Sequence, residues 1–255
     1  MTKYRVVIAL AAVASIAGCG SSKSSSGGSG ASSSAIKIRT APASGPAYHP
    51  RIVPADFTIH VTNRYWPLRP GATWVYDGTK DHVPEHVVVT VAKEMRTVLG
   101  VQCLVVHDRV TINGSLEENT TDWYAQDRSG AVWYFGEDSK DYKNGVVVST
   151  QGTWEAGVDG AQPGVIIQGN PRPGPTYRQE YRPGVAEDMA RVLTATAAQS
   201  VPAGTFRHVV ETYDTDPLNP DKVERKYWAL GVGAVHVVRV GGSHQEEIKL
   251  VHYSR

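Results

Sequence analysis

Residues 101–138 read VQCLVVHDRVTINGSLEENTTDWYAQDRSGAVWYFGED. Leu104 to Ile112 is short and rich in β-branched residues, so it reads as a strand. Asn113-Gly114 comes next, and a two-residue type I′ turn needs positive φ at both central positions, which this pair tolerates best. Asp122 to Asp127 is a second extended run. Asp127-Arg128-Ser129-Gly130 is an ordinary turn before a third strand over Ala131 to Phe135. Val87 to Val91 and Val146 to Thr150 carry the same chemistry, and Asn144-Gly145 is another hairpin signal. The fold class is therefore all-β and antiparallel, built from successive hairpins.

A second stretch repeats the pattern. Arg69-Pro70-Gly71-Ala72-Thr73-Trp74 matches Arg172-Pro173-Gly174-Pro175-Thr176-Tyr177, with Gly174 lying 103 residues after Gly71. Gly100, Val105 and Val106 match Gly204, Val209 and Val210, and Tyr124-Ala125 with Gly130-Ala131-Val132 matches Trp228-Ala229 with Gly233-Ala234-Val235. Three blocks in one order at nearly one spacing predict two tandem repeats, about 66–168 and 169–255, forming a curved sheet, a sandwich or a partly open barrel. Pro183 to Leu193 is ambiguous: Pro183, Glu187 and Asp188 suit a helix start, but the repeat sets Arg191 to Thr194 opposite Val87 to Thr90. The expectation is a loop that ends in a strand, with room for a short helical turn at Ala186 to Met189.

Ahead of this region, Lys3 and Arg5 precede an apolar run from Val6 to Ile16 that closes on Ala17-Gly18-Cys19. The run is too short for a permanent membrane span, and small residues before a cysteine suit cleavage after the thiol is acylated. This pattern resembles the lipobox of bacterial lipoproteins, with Ile16 where leucine is usual. It implies a signal peptide over 1–18 and lipidation of Cys19 by fatty acyl chains such as palmitate. Gly20 to Ser34 is almost wholly Ser and Gly, and Pro42, Pro46, Pro50 and Pro54 punctuate residues 35–62, so 19–62 reads as a flexible tether with one edge strand at Phe57 to Val61. The folded domain is expected over 63–255, beginning near Tyr65.

Composition narrows the function classes. The leader removes two of the 26 Lys and Arg, against 25 Asp and Glu, so the charge balance supplies no basic patch for nucleic acid. With Cys19 lipidated, Cys103 is the sole remaining thiol, which excludes an intramolecular disulfide and a multi-cysteine metal site. Flanked by Val101, Leu104 and Val105, Cys103 reads as a small buried hydrophobe. There is no G-x-S-x-G elbow and no phosphate-binding Gly-rich loop. Pro84 separates His82 from His86, and Glu137, Asp138 and Asp141 read as solvated acids; neither a metal nor another cofactor is predicted.

The densest aromatic and acidic stretches remain as candidate ligand-binding residues: Asp122, Trp123, Tyr124, Trp133, Tyr134, Trp154 and Glu155. In a strand Asp122, Tyr124 and Gln126 face one way and Trp123 and Ala125 the other. DWYAQDRSGAVWYFGED (122–138), GTWEAGVDGAQPG (152–164), YWPLRPGATWVY (65–76) and RQEYRPGVAEDM (178–189) resemble an uncharacterised family of bacterial secreted proteins and lipoproteins. That resemblance implies a mostly antiparallel β fold and carries no site residues. The expected function is that of an extracytoplasmic lipoprotein, anchored through Cys19 in a cell membrane or outer membrane. It would bind or maintain an envelope component, a lipid or a partner protein among the candidates. The alternative is a glycan hydrolase drawing two acids from Asp122, Asp127, Glu137 and Glu155. Under the first reading the aromatics are chiefly core, and Trp133→Ala should destabilise far more than Asp127→Asn.

Overall fold

A computed structural model describes residues 48–254, so the leader, Cys19 and most of the tether lie outside the described residues. Among the described residues a single turn at Pro54–Asp56 precedes sixteen strands. They are β1 (Phe57–Thr58), β2 (Thr73–Lys80), β3 (Val83–Val98), β4 (Val101–Ile112), β5 (Ser115–Asp127), β6 (Val132–Lys143), β7 (Val146–Ser149) and β8 (Trp154–Glu155). After these come β9 (Gln162–Ile167), β10 (Tyr177–Arg178), β11 (Glu180–Tyr181), β12 (Met189–Val201), β13 (Gly204–Asp216), β14 (Asn219–Ala229), β15 (Gly233–Arg239) and β16 (Glu246–Ser254).

The main sheet runs β10-β12-β13-β14-β15-β16-β2-β3-β4-β5-β6-β9-β11 and curls into a nearly closed antiparallel barrel with one seam. The seam lies between β9 and β12. Residues 177–181 span it, with Tyr177 and Arg178 pairing to β12 and Glu180 and Tyr181 pairing to β9. Two stretches of chain form meanders of matching order: β2 to β6, and β10 with β12 to β15. Pro183 to Asp188 is loop, and β12 begins at Met189.

Turn chemistry accounts for the hairpins. Asn113 and Gly114 sit at φ +48° and +76°, and Asn144 and Gly145 at +53° and +77°, the signs a type I′ turn demands. Because consecutive strands are antiparallel, turns alternate between barrel ends. Asp81-His82, Asn113-Gly114, Asn144-Gly145 and Pro217-Leu218 mark one end, here the hairpin end, and Leu99-Gly100 and Pro202-Ala203 mark the other.

Residues 48–63 depart from the linker expectation, for they already pack on the barrel. The Tyr48 hydroxyl donates to the Pro163 carbonyl (2.9 Å), and Asn63 is buried. Asn63 organises a tight turn: its Oδ1 accepts the backbone N–H of Tyr65 (2.8 Å) and Trp66 (3.1 Å), and its Nδ2 donates to the Gly130 carbonyl (2.7 Å). That turn drives Trp66 into the barrel mouth opposite the hairpin end. There it stacks on Trp74 (5.3 Å) and meets the edge of Trp228 (5.3 Å), both fully buried. Val89, Val106 and Leu250 belong to the same apolar core. Cys103 is buried in β4, and burial pushes its thiol up to about 12.

Candidate functional site

The half of the interior toward the hairpin end is polar. Among the described residues twelve carboxyl side chains are buried, against Lys222, Lys226 and Arg239. Such an excess of acid cannot all be ionised away from water, so protons or lysines must compensate.

At its centre stand Asp122 of β5 and Glu137 of β6, both with no exposed surface. Strand alternation alone would send Tyr134 and Glu137, three apart, to opposite faces. A bulge between the pairs Trp123↔Gly136 and Tyr124↔Tyr134 inserts one residue and turns both inward. Gly136 makes it possible: at φ +137° a Cβ would collide with the Trp154 carbonyl. The Tyr134 hydroxyl then lies 2.6 Å from Asp122 Oδ1 and 2.9 Å from Glu137 Oε2.

A phenol has one proton to give. For both contacts to be attractive, one carboxyl must itself be protonated and donate to the phenolic oxygen. The electrostatics agree: burial first, then the neighbouring Glu137, holds the Asp122 carboxyl well above the usual range. Tyr124 stacks on Tyr134 (4.8 Å) and Trp154 meets its edge (5.3 Å). Trp154 Nε1 donates to Glu180 Oε2 (2.9 Å), a carboxyl also pushed up by burial and by Asp188.

Next to this acid network lies a lysine network. Lys226 Nζ is 3.1 Å from Asp214 and 3.5 Å from Glu224, and Lys222 Nζ is 3.4 Å from Asp188. Burial alone would lower Lys222, but Asp188, Glu224 and Asp216 together drive its pKa up. A void of about 10 Å³ between these groups is room for roughly one water.

The seven candidate residues thus separate. Asp122, Tyr124 and Tyr134 belong to the sealed interior; Trp154 joins that network through Glu180 and, with Trp123 and Glu155, also borders an open cleft of about 330 Å³ on the barrel wall. Its remaining lining is Arg96, Asp138, Thr153, Val158, Asp159 and Arg182. The Arg96 guanidinium lies 4.0 Å over the Trp123 ring and pairs with Glu155. Arg182 donates to the Thr153 carbonyl (2.7 Å) and to Asp159 (2.9 Å). Neither arginine was a sequence candidate; each is far along the chain from the cleft residues it bonds, and no local pattern marks it.

Trp133 is in neither place. It is half-buried on the outer face, set edge-on to Phe57 (5.9 Å), and donates Nε1 to Asp127 Oδ2 (2.9 Å). Asp127 Oδ1 accepts the N–H of Ser129 (2.8 Å) and of Ala131 (3.0 Å). Asp127 therefore holds a turn and a tryptophan together, which reverses its expected dispensability. Asp127→Asn should set an amide donor against Trp133 Nε1 and cost about 1–2 kcal/mol, comparable to half-buried Trp133→Ala at about 2 kcal/mol. Denaturant unfolding of both variants checks this; a cost for Asp127→Asn near zero would show the turn to be indifferent to its carboxylate.

Of the four acids weighed for hydrolysis, Asp122 and Glu137 share the sealed interior, Asp127 is committed to its turn, and only Glu155 borders the cleft. No two of them flank a space open to a substrate.

No protein-family model matches the chain, and no curated protein is significantly similar to it. Among solved structures, a protein assigned as a lipoprotein from Parabacteroides distasonis is 12% identical with a TM-score of 0.40, over 74% of this chain and 98% of that one. One assigned as an exported protein with a YmcC-like fold, from Bacteroides fragilis, is 12% identical with a TM-score of 0.42, over 75% and 99%. Neither likeness is close enough to carry a function or a location across.

Proposed function

We propose that this chain is an extracytoplasmic lipoprotein, held to a membrane through lipidated Cys19, that binds a polar envelope component at the Trp123–Trp154 cleft. The observation that carries the binding reading is the cleft itself. Trp123 and Trp154, 3% and 2% exposed, back its wall, while Arg96, Arg182, Glu155 and Asp159 supply donors and acceptors of both signs around it. The mixed polar rim suits a hydroxyl-rich ligand such as a segment of envelope glycan, whose edges hydrogen-bond. The resemblance of most of Tyr65 to Val240 to a family of bacterial secreted proteins and lipoproteins fits the same compartment.

The barrel interior favours binding at this wall over carriage of a lipid inside. Its apolar half is occupied by Trp66, Trp74 and Trp228, and its other half is lined with carboxyls and lysines, which repel an acyl chain.

Two experiments bear on the reading. Cys19→Ser should move the protein from the membrane to the soluble extracytoplasmic fraction, and unchanged retention after normal signal cleavage would defeat the anchor. For the cleft, calorimetric titration of the full chain with solubilised cell-wall glycan fragments should show saturable binding. Val158→Trp, which fills the cleft from an exposed position, should abolish it at an unchanged melting temperature. Equal binding by both proteins would place the ligand elsewhere.

A further inference from the structure

Exposed apolar side chains occur at both ends of the barrel: Met95, Leu99 and Leu230 lie at the end opposite the hairpin turns, and the larger group lies at the hairpin end. Val83, Val146, Val147, Val148, Leu218 and Val240 are all at least 37% exposed, and all lie beside turns at the hairpin end. Val146, Val147 and Val148 are successive residues of β7, so they point alternately to both faces, and all are 43% exposed or more. Strand β7 pairs only with β6 and leaves its other edge open. A three-valine strand with neither face covered and one edge unpaired is a surface that water does not favour.

We propose that the hairpin end is the membrane-facing end of the barrel, with the β6–β7 tip seated in the headgroup region of the bilayer that holds the lipid anchor. This rests on the lipidated Cys19 proposed above. The chain's entry point argues for that occupant. Tyr48 is fixed at mid-wall on Pro163 and against Tyr181 (5.7 Å), and from there the chain reaches Asn63, which bonds Gly130 and Gln168 at the opposite mouth. Residues 48–63 thus run away from the hairpin end.

Residues 20–47 separate Cys19 from that point. A chain of that length can reach at most about 95 Å, more than the height of one barrel strand, which is enough to let that end rest on the bilayer.

The test uses the full lipidated chain in phosphatidylcholine–phosphatidylglycerol vesicles. Val147→Cys and, at the opposite end, exposed Met95→Cys each receive an environment-sensitive fluorophore; Cys103 is buried with a raised pKa and stays unlabelled. Vesicle binding should blue-shift the label at 147 and not that at 95, and brominated lipid should quench the label at 147 several-fold more than that at 95. Equal quenching at both positions, or none at 147 in protein that floats with vesicles, overturns the orientation while leaving the anchor intact. Failure to float at all removes the anchor reading and this proposal with it. Mutual cross-linking of Val147→Cys chains without lipid quenching would assign the open edge to a second copy instead.

Discussion

Lys226→Met is expected to lower the melting temperature at neutral pH by roughly 10 °C or more, the largest effect of any single side chain in the polar interior. Its ammonium is 2% exposed and is the nearest cation to Asp214 at 3.1 Å and Glu224 at 3.5 Å, themselves 5% and 4% exposed. Deleting one partner of a buried pair costs about 3–5 kcal/mol, because the remaining charge stays buried and uncompensated. Here two carboxylates are stranded, against a typical total stability of about 5–15 kcal/mol. They can escape only by taking up protons. Burial already raises the Asp214 pKa and Lys226 is the main influence opposing that rise, so without the lysine Asp214 should titrate higher still. The deficit should therefore shrink in mildly acidic buffer, and Asp214→Asn in the Lys226→Met background should recover part of it. Scanning calorimetry of the three proteins checks this. A Lys226→Met protein that melts with the wild type would mean the pair is solvated.

The outer features of this fold could be read from short stretches, and its interior could not. Asn113-Gly114 and Asn144-Gly145 announce their turns because positive φ at two successive positions excludes most residue pairs. The strands between them follow from β-branched runs. Two physical facts hide the rest. First, the bulge at Gly136 breaks the two-residue period, so Tyr134 and Glu137 share a face that alternation denies them. The sequence reading stops that strand at Phe135, yet β6 continues to Lys143. Second, the polar half inverts the rule by which strands are assigned faces. Asp108, Asp122 and Glu224 point inward, where a rule of apolar residues inside would set them on a solvent rim. Asn63 is a third kind of case: its turn is built by bonds to Gly130 and Gln168, contacts with no local trace in a proline-rich stretch.

The same interior should make the protein more stable as the medium turns mildly acidic. Burial first, opposed by Lys80, pushes the Glu85 carboxyl up to about 7; Glu246, Asp108 and Glu118 also face it. Burial likewise brings Asp188 to about 7, with Lys222 and Lys226 pulling down and Asp216 and Glu224 pushing up. An acid whose folded pKa exceeds its unfolded value binds more protons in the native state between those two values. In that window stability falls as pH rises, the reverse of a salt-bridged surface carboxylate. Going from about pH 8 to about pH 6 should return roughly 1 kcal/mol for each such group, and hence raise the melting temperature by about 4–8 °C for the two together. His236 opposes this from about pH 6.5 downward, since burial lowers its pKa and the unfolded chain takes the proton first. Asp81 and Glu247, held low by His244 and Lys249, withdraw stability only when the medium reaches the carboxylate range. Stability should therefore peak in mild acid. Glu85→Gln keeps the shape of the side chain and removes its charge, so it should melt higher than the wild type at about pH 8 and show a shallower pH dependence. A wild-type melting temperature that is flat or falls between those two pH values would mean that Glu85 and Asp188 titrate as ordinary carboxyls, and that water reaches the polar half of the barrel.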